Sequence, residues 1–172
     1  MPFVVLVTDA NSNPVPNTTV ELNLIPLRYR TGTLFQIFID GNFEEWGRDI
    51  DDTCPNEDLL TGDSSKDRNG ILDDDGTCSG EDANCNGILD PGNVASVPGT
   101  VTTDANGFAE FNVEYPQNHN HWVEVELEAR TTVAGSESST TISFFLEGLA
   151  SDFESEPPPP GVTSPFGTGP CN

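Results

Sequence analysis

Residues 122–129 have the sequence WVEVELEA, and this stretch decides the fold. Apolar and acidic side chains alternate along it, with Val123, Val125 and Leu127 facing one way and Glu124, Glu126 and Glu128 the other. Successive side chains of a β-strand point to opposite faces, so the pattern predicts a strand with one buried face and one solvated face.

Strand-like segments of this kind recur on both sides of a long polar region. They are Phe3–Thr8, Thr18–Ile25, Leu34–Ile39, Thr100–Thr103, Phe108–Val113 and Thr140–Leu146. The tetrapeptide at 104–107, Asp-Ala-Asn-Gly, predicts a tight turn because Asn-Gly tolerates positive φ angles. About seven strands without a convincing amphipathic helix predict an all-β chain, an Ig-like β-sandwich with a long irregular insertion.

The composition divides the chain into three regions. Residues 1–41 and 99–149 carry the sandwich pattern, whereas residues 42–98 are rich in Gly, Asp and Asn and form a predicted acidic insertion. Residues 150–172 form a Pro-rich tail that contains Cys171, and we expect that cysteine to pin the tail.

The charge of the chain excludes some partners. Six Lys and Arg face 29 Asp and Glu, which gives a net charge of −23. A chain this acidic cannot neutralise nucleic-acid phosphates, and acidic membrane surfaces would repel it. Sixteen of the carboxylates lie between Asp40 and Asp90. They form either a solvated flexible loop or a site whose repulsion is relieved by bound cations.

The pattern inside the insertion favours cations. Oxygen-bearing side chains alternate at Asp82, Asn84 and Asn86, and Gly87 follows them. Ile88 then offers a backbone carbonyl, Asp90 a further carboxylate, and Asn93 stands at the twelfth position. Calcium takes six to eight oxygens, and a short loop of this kind wraps them around one ion, whereas magnesium demands tighter octahedral geometry.

A second stretch repeats the pattern, which predicts one or two Ca²⁺ ions. Its candidate ligands are Ser65, Asp67, Asn69, the Ile71 carbonyl and Asp73, with Gly76 at the twelfth position. Ser65 is a weaker first ligand than a carboxylate, and Asp58, Asp63, Asp74 or Asp75 could complete the set. Both loops resemble the calcium loops of EF-hand-like and dockerin-type repeats, without their usual acid at position twelve, so we expect the loops to share ligands.

Two sandwich motifs carry a further resemblance. Residues 7–20, VTDANSNPVPNTTV, and residues 102–109, TTDANGFA, resemble motifs of bacterial Ig-like domains of the invasin/intimin type. The resemblance covers roughly residues 3–40 and 99–147. It implies a stalk or adhesion module whose partners are neighbouring modules of a longer chain or a surface ligand.

The four cysteines suggest an oxidising location. They lack the spacing of a zinc site, and three disulfide pairings are possible. We expect Cys78 to pair with Cys85 and Cys54 with Cys171, and the competing arrangement joins Cys54 to Cys78 and Cys85 to Cys171. The first nine residues are no signal peptide and no stretch reaches transmembrane length. We therefore expect a piece of a longer protein that is extracellular or on the bacterial cell surface, with no direct membrane insertion.

No catalytic motif is apparent, so we expect no enzyme. The leading hypothesis is a calcium-stabilised Ig-like structural or adhesion module. The alternative is a calcium-dependent glycan- or protein-binding module, which would place an open calcium site beside Trp46, Phe43 or Tyr29.

Overall fold

The computed structural model describes residues 1–73 and 80–171, and the chain is nearly all β. The strands are β1 (Pro2–Leu6), β2 (Thr19–Ile39), β3 (Asn42–Pro55), β4 (Thr100–Thr102), β5 (Phe108–Asn112), β6 (Val123–Val133) and β7 (Ser136–Phe145). Short helical turns occupy Glu57–Leu59, Gln117–His119 and Ala150–Phe153. In the described ranges, no helix has the length and apolar character needed to cross a membrane.

The chain divides into two compact units, and the first is a β-sandwich. It consists of Met1–Ile25, Ala95–Tyr115 and Glu126–Phe144. Strands β1 and β5 pair antiparallel as one sheet, and the other sheet carries β4, β2, β6 and β7 in that order. The all-β sandwich predicted from the sequence is confirmed.

Apolar residues from both sheets form the core of this unit. The buried cluster is Val7, Val20, Leu22, Phe111 and Leu127. Each is an apolar position of a predicted alternating segment, apart from Val7, which ends a short apolar run. The turn at 104–107 is also confirmed, because the Asp104 carbonyl accepts from Gly107 N–H at 3.1 Å and Gly107 has φ +80°.

The second unit consists of Pro26–Val94, Pro116–Val125 and Phe145–Asn172. Its main element is a long hairpin, in which β3 pairs with β2 from Arg28↔Pro55 to Ile39↔Asn42. The segment predicted as the strand Leu34–Ile39 is therefore the end of one strand that begins at Thr19.

The predicted insertion boundary at residue 42 also differs from the structure, because residues 42–55 are strand rather than irregular chain. Asp40 and Gly41 turn the hairpin with φ +52° and +82°. Gly32 sits at a register shift with φ +136°, where a Cβ would lie 2.2 Å from the Asp49 carbonyl oxygen. Only glycine fits that close approach between the strands.

The C-terminal tail is fastened to the hairpin, as predicted from the presence of Cys171 in the tail. Cys54 and Cys171 form a disulfide across a sequence separation of 117 residues, which confirms the expected pairing. Backbone bonds support it, since Leu34 N–H donates to the Val162 carbonyl at 2.6 Å and Gly32 N–H to that of Gly167 at 3.0 Å. The indole N–H of buried Trp122 also donates to the Gly161 carbonyl at 2.8 Å.

Candidate metal centre

The acidic region begins at a buried turn that aims two carboxylates in different directions. The Asn56 side chain donates to the Pro26 carbonyl at 2.7 Å and accepts from Asp58 N–H at 3.0 Å. It holds the turn Glu57–Leu59, in which the side chains of Glu57 and Asp58 are buried.

The loop at 82–90, called loop A, brings its predicted side chains together. Asp82 is buried and its carboxylate accepts from the N–H groups of Asn86 and Gly87, both at 2.9 Å. The side-chain amides of Asn84 and Asn86 both donate to Asp90 Oδ2, at 3.0 and 2.8 Å. Two N–H₂ groups on one carboxylate oxygen partly offset its charge, as a cation would do more strongly.

Glu57, which the sequence analysis did not select, also contacts loop A. Its Oε1 accepts from Ala83 N–H at 3.1 Å, and its Oε2 accepts from Asp90 N–H at 2.9 Å. Burial raises the pKa of Glu57, although these backbone hydrogen bonds oppose the shift. A buried carboxylate therefore lies against the backbone of a loop that comes much later in the sequence.

The loop at 67–73, called loop B, shares part of this internal arrangement. The Asn69 side chain donates to Asp73 Oδ2 at 2.7 Å, as Asn86 does to Asp90. The carboxylate that accepts from the N–H groups of Asn69 and Gly70 belongs to Asp58, at 3.2 and 3.1 Å. Asp58 thus takes the position in loop B that Asp82 takes in loop A.

Glu81 completes the correspondence and has an unpartnered oxygen. Its Oε2 accepts from Asp73 N–H at 2.7 Å, as Glu57 Oε2 accepts from Asp90 N–H. Its side chain is fully buried, and within residues 1–73 and 80–171 its Oε1 has no hydrogen-bond partner. Burial raises the pKa of Glu81, and the charges of neighbouring carboxylates, Asp58 foremost, raise it further. A buried carboxylate oxygen without a donor is costly unless a cation or proton satisfies it.

The sequence contains a repeat that this geometry makes visible. Residues 57–58 and 81–82 are both Glu-Asp, and residues 69–73 and 86–90 are both Asn-Gly-Ile-Leu-Asp. Nine positions separate Asp58 from Asp67, whereas two separate Asp82 from Asn84. Loop B therefore resembles loop A with seven extra residues after its first carboxylate. A prediction based on the loop A spacing places Ser65, and not Asp58, as the first ligand of loop B.

Several predicted ligands lie elsewhere. Ser65 is exposed, and its hydroxyl donates to Asp63 Oδ1 at 2.8 Å. Asp67 accepts from the Thr61 hydroxyl and from Gly62 N–H. Asn93 lies beside loop B, since its Nδ2 is 3.4 Å from where a Cβ on Gly70 would stand. Asp74, Asp75, Gly76 and Cys78 fall outside the described residues, and Cys85 is disulfide-bonded.

The two isoleucines, whose carbonyls are predicted ligands, occupy matching positions in loops A and B. Their side chains are 63% and 62% exposed at Ile71 and Ile88, so hydrophobic burial does not explain them. Their N–H groups donate to Asn69 Oδ1 at 2.6 Å and to Asn86 Oδ1 at 2.7 Å. The matching bonds give both loops the same tight turn at their glycines.

Tyr29 joins the hairpin to loop A. Its ring is buried against Phe166 at a centroid distance of 4.7 Å, and its hydroxyl lies close to the Asn84 side chain of loop A. Burial raises the pKa of Tyr29 to about 12, with a contribution from the carboxylates of Glu57 and Asp90. This tyrosine is therefore a support for the loop and not an exposed platform.

The donor set of both loops suits a hard cation. Among residues 1–73 and 80–171, no group of three or more His, Cys, Asp or Glu side chains has an arrangement that could hold a metal ion. The candidate set differs from such a cluster because it mixes carboxylates with amide and backbone oxygens, the ligands that calcium takes. Comparisons of the chain with protein-family models, curated proteins and solved structures found no match.

Proposed function

We propose that this chain is a calcium-stabilised, Ig-like structural and adhesion module of a bacterial cell-surface or secreted protein. The β-sandwich supplies a rigid module, and loops A and B hold the ions. Partners are neighbouring modules of a longer chain or a surface ligand. The invasin/intimin-like motifs at 7–20 and 102–109 support the assignment to extracellular adhesion proteins.

The observation that carries the calcium proposal is the buried, unpartnered Oε1 of Glu81. A solvated acidic loop would expose such an oxygen to water, yet this side chain is fully buried among other carboxylates. A Ca²⁺ ion would supply the missing partner and offset the repulsion of the surrounding charges. The duplicated loop geometry extends the argument to a second ion.

Isothermal titration calorimetry of the 172-residue chain tests the proposal. We expect about two Ca²⁺ to bind per chain, with a Kd well below millimolar, and Mg²⁺ to bind more weakly. Asp82→Asn should weaken binding in loop A, whereas Asp40→Asn, at the exposed hairpin turn, removes the same charge without effect. A chain that gives no heat with millimolar CaCl₂ would rule the proposal out.

The alternative, a calcium-dependent glycan- or protein-binding module, draws support from exposed apolar residues near the hairpin turn. Phe35, Phe38 and Ile39 are each about half exposed. However, the strand rise puts Trp46, paired with Gln36, roughly 23 Å along the hairpin from Tyr29, and Tyr29 is buried. An open calcium site beside these aromatic residues is therefore not favoured, and the structural role ranks first.

A further inference from the structure

The two Glu-Asp pairs are crossed between the loops. Glu57 contacts loop A while its neighbour Asp58 contacts loop B. In the second pair, Glu81 contacts loop B while its neighbour Asp82 contacts loop A. Each loop thus receives one carboxylate from each pair.

We infer that loops A and B form one binuclear calcium centre with exchanged ligands, in which Glu57 completes the loop A site and Glu81 the loop B site. Asp58, not Ser65, is the first ligand of the loop B ion. This inference rests on the calcium proposal above and deepens it by assigning three ligands that lie outside the loop motifs.

The exchange couples the two ions. When an ion in loop A orders Glu57, it also fixes the backbone of the adjacent residue Asp58. The ion in loop B needs Asp58 as a ligand. The pair Glu81–Asp82 has the same effect in the opposite direction. The first ion therefore supplies most of the ordering that the second requires, which makes binding positively cooperative. If each loop took all its ligands from its own segment, the two loops would bind calcium independently.

The amides of Gly70 and Gly87 distinguish these cases, because one lies in each loop at the same position. In a ¹⁵N-resolved NMR titration of the full chain with CaCl₂, both resonances should shift over the same calcium range, with a Hill coefficient above one. Glu81→Gln should raise the midpoint at Gly70 by about tenfold or more, since affinity depends on ligand charge, and the midpoint at Gly87 by less.

Matched variants complete the test. Glu57→Gln should show the mirror effect, largest at Gly87, and Asp58→Asn should act mainly on Gly70. Glu44→Gln, on the exposed face of β3, removes the same charge and should leave both midpoints unchanged. Amide dispersion from β5 and β6 checks folding. If Glu81→Gln loses that dispersion, Glu57→Gln and Asp58→Asn decide the result.

The outcomes separate this inference from the calcium proposal. If Glu81→Gln acts mainly on Gly87, in the loop next to it in sequence, the ligands are not exchanged. If the two glycines titrate independently in the unmodified chain, the sites are not coupled. In both cases calcium binding itself stands. If neither glycine responds to calcium, the proposed function falls as well.

Discussion

The two compact units of this chain rely on different physical interactions. The sandwich buries an apolar cluster around Leu127 and Phe111, and its turns are satisfied by local hydrogen bonds. The second unit has its own buried apolar residues, such as Trp122 and Leu146, but it also buries the carboxylates of Glu57 and Glu81. Burial of apolar surface stabilises the first unit without any ligand, whereas buried carboxylates need hydrogen bonds, a proton or a counter-charge.

This contrast indicates which unit depends on conditions. An apolar core loses little when calcium, redox state or moderate acidity changes, because none of these alters its contacts. We expect a unit that contains repelling carboxylates and a disulfide-fastened tail to be sensitive to calcium and to disulfide reduction. We therefore expect the two units to respond separately to the changes described below.

Removal of calcium should have the largest effect. At free Ca²⁺ of 100 times Kd for two sites, binding stabilises the folded chain by about 5 kcal/mol, and EDTA removes this contribution. Hydrogen exchange should accelerate in residues 57–73 and 81–90 and remain slow in β5 and in residues 126–133 of β6. Equal acceleration in both regions would show that the sandwich also depends on the ions, and MgCl₂ added after EDTA is the control.

Loss of the Cys54–Cys171 disulfide should have the next largest effect. The double variant Cys54→Ser/Cys171→Ser opens a loop closed over 117 residues, for which the chain-entropy model gives up to about 5 kcal/mol. Urea unfolding should show a lower stability, and exchange should accelerate in residues 155–171. Unchanged protection of the tail would mean that its hydrogen bonds to β2 suffice without the disulfide.

A core truncation should act on the other unit. Leu127→Ala removes a side chain that is only 4% exposed and should cost about 3 kcal/mol of unfolding free energy. Its calcium affinity should match that of the unmodified chain. Ile142→Ala, at a half-exposed position on β7, is the control and should cost less than about 0.5 kcal/mol. A change in calcium affinity for Leu127→Ala would contradict the separation of the two units.

The smallest effect should come from the turn at Asp104. Backbone N–H groups of Phe108 and Asn106 lower the pKa of this carboxyl. Since the folded pKa lies below the unfolded one, the contribution is present above about pH 4 and is lost as the pH falls through the folded value. Asp104→Asn should therefore lower Tm slightly at pH 6 and flatten its decline between pH 4 and 2. A parallel decline in both proteins would exclude a role for this carboxyl.

Strand prediction succeeded where one face is apolar and failed where it is not. Segments such as Phe108–Val113 were predicted because alternation requires only one buried face. Strand β3 was missed because five acidic residues occupy positions 44–52 and mask any alternation. The Asp40–Gly41 turn was the local signal that could have found it, since such dipeptides join hairpin strands.

The sequence by itself determined the sandwich strands, the tight turns and the short-range part of both loops, because these depend on periodicity and on residues a few positions apart. Only the tertiary structure decided the length of β2 and β3, which comes from pairing between strands. It also decided that Glu57, Asp58 and Glu81 join the loops. The contacts of those carboxylates depend on a seven-residue difference in spacing and on an exchange between the two loops, and no local pattern records which loop a side chain will meet in space.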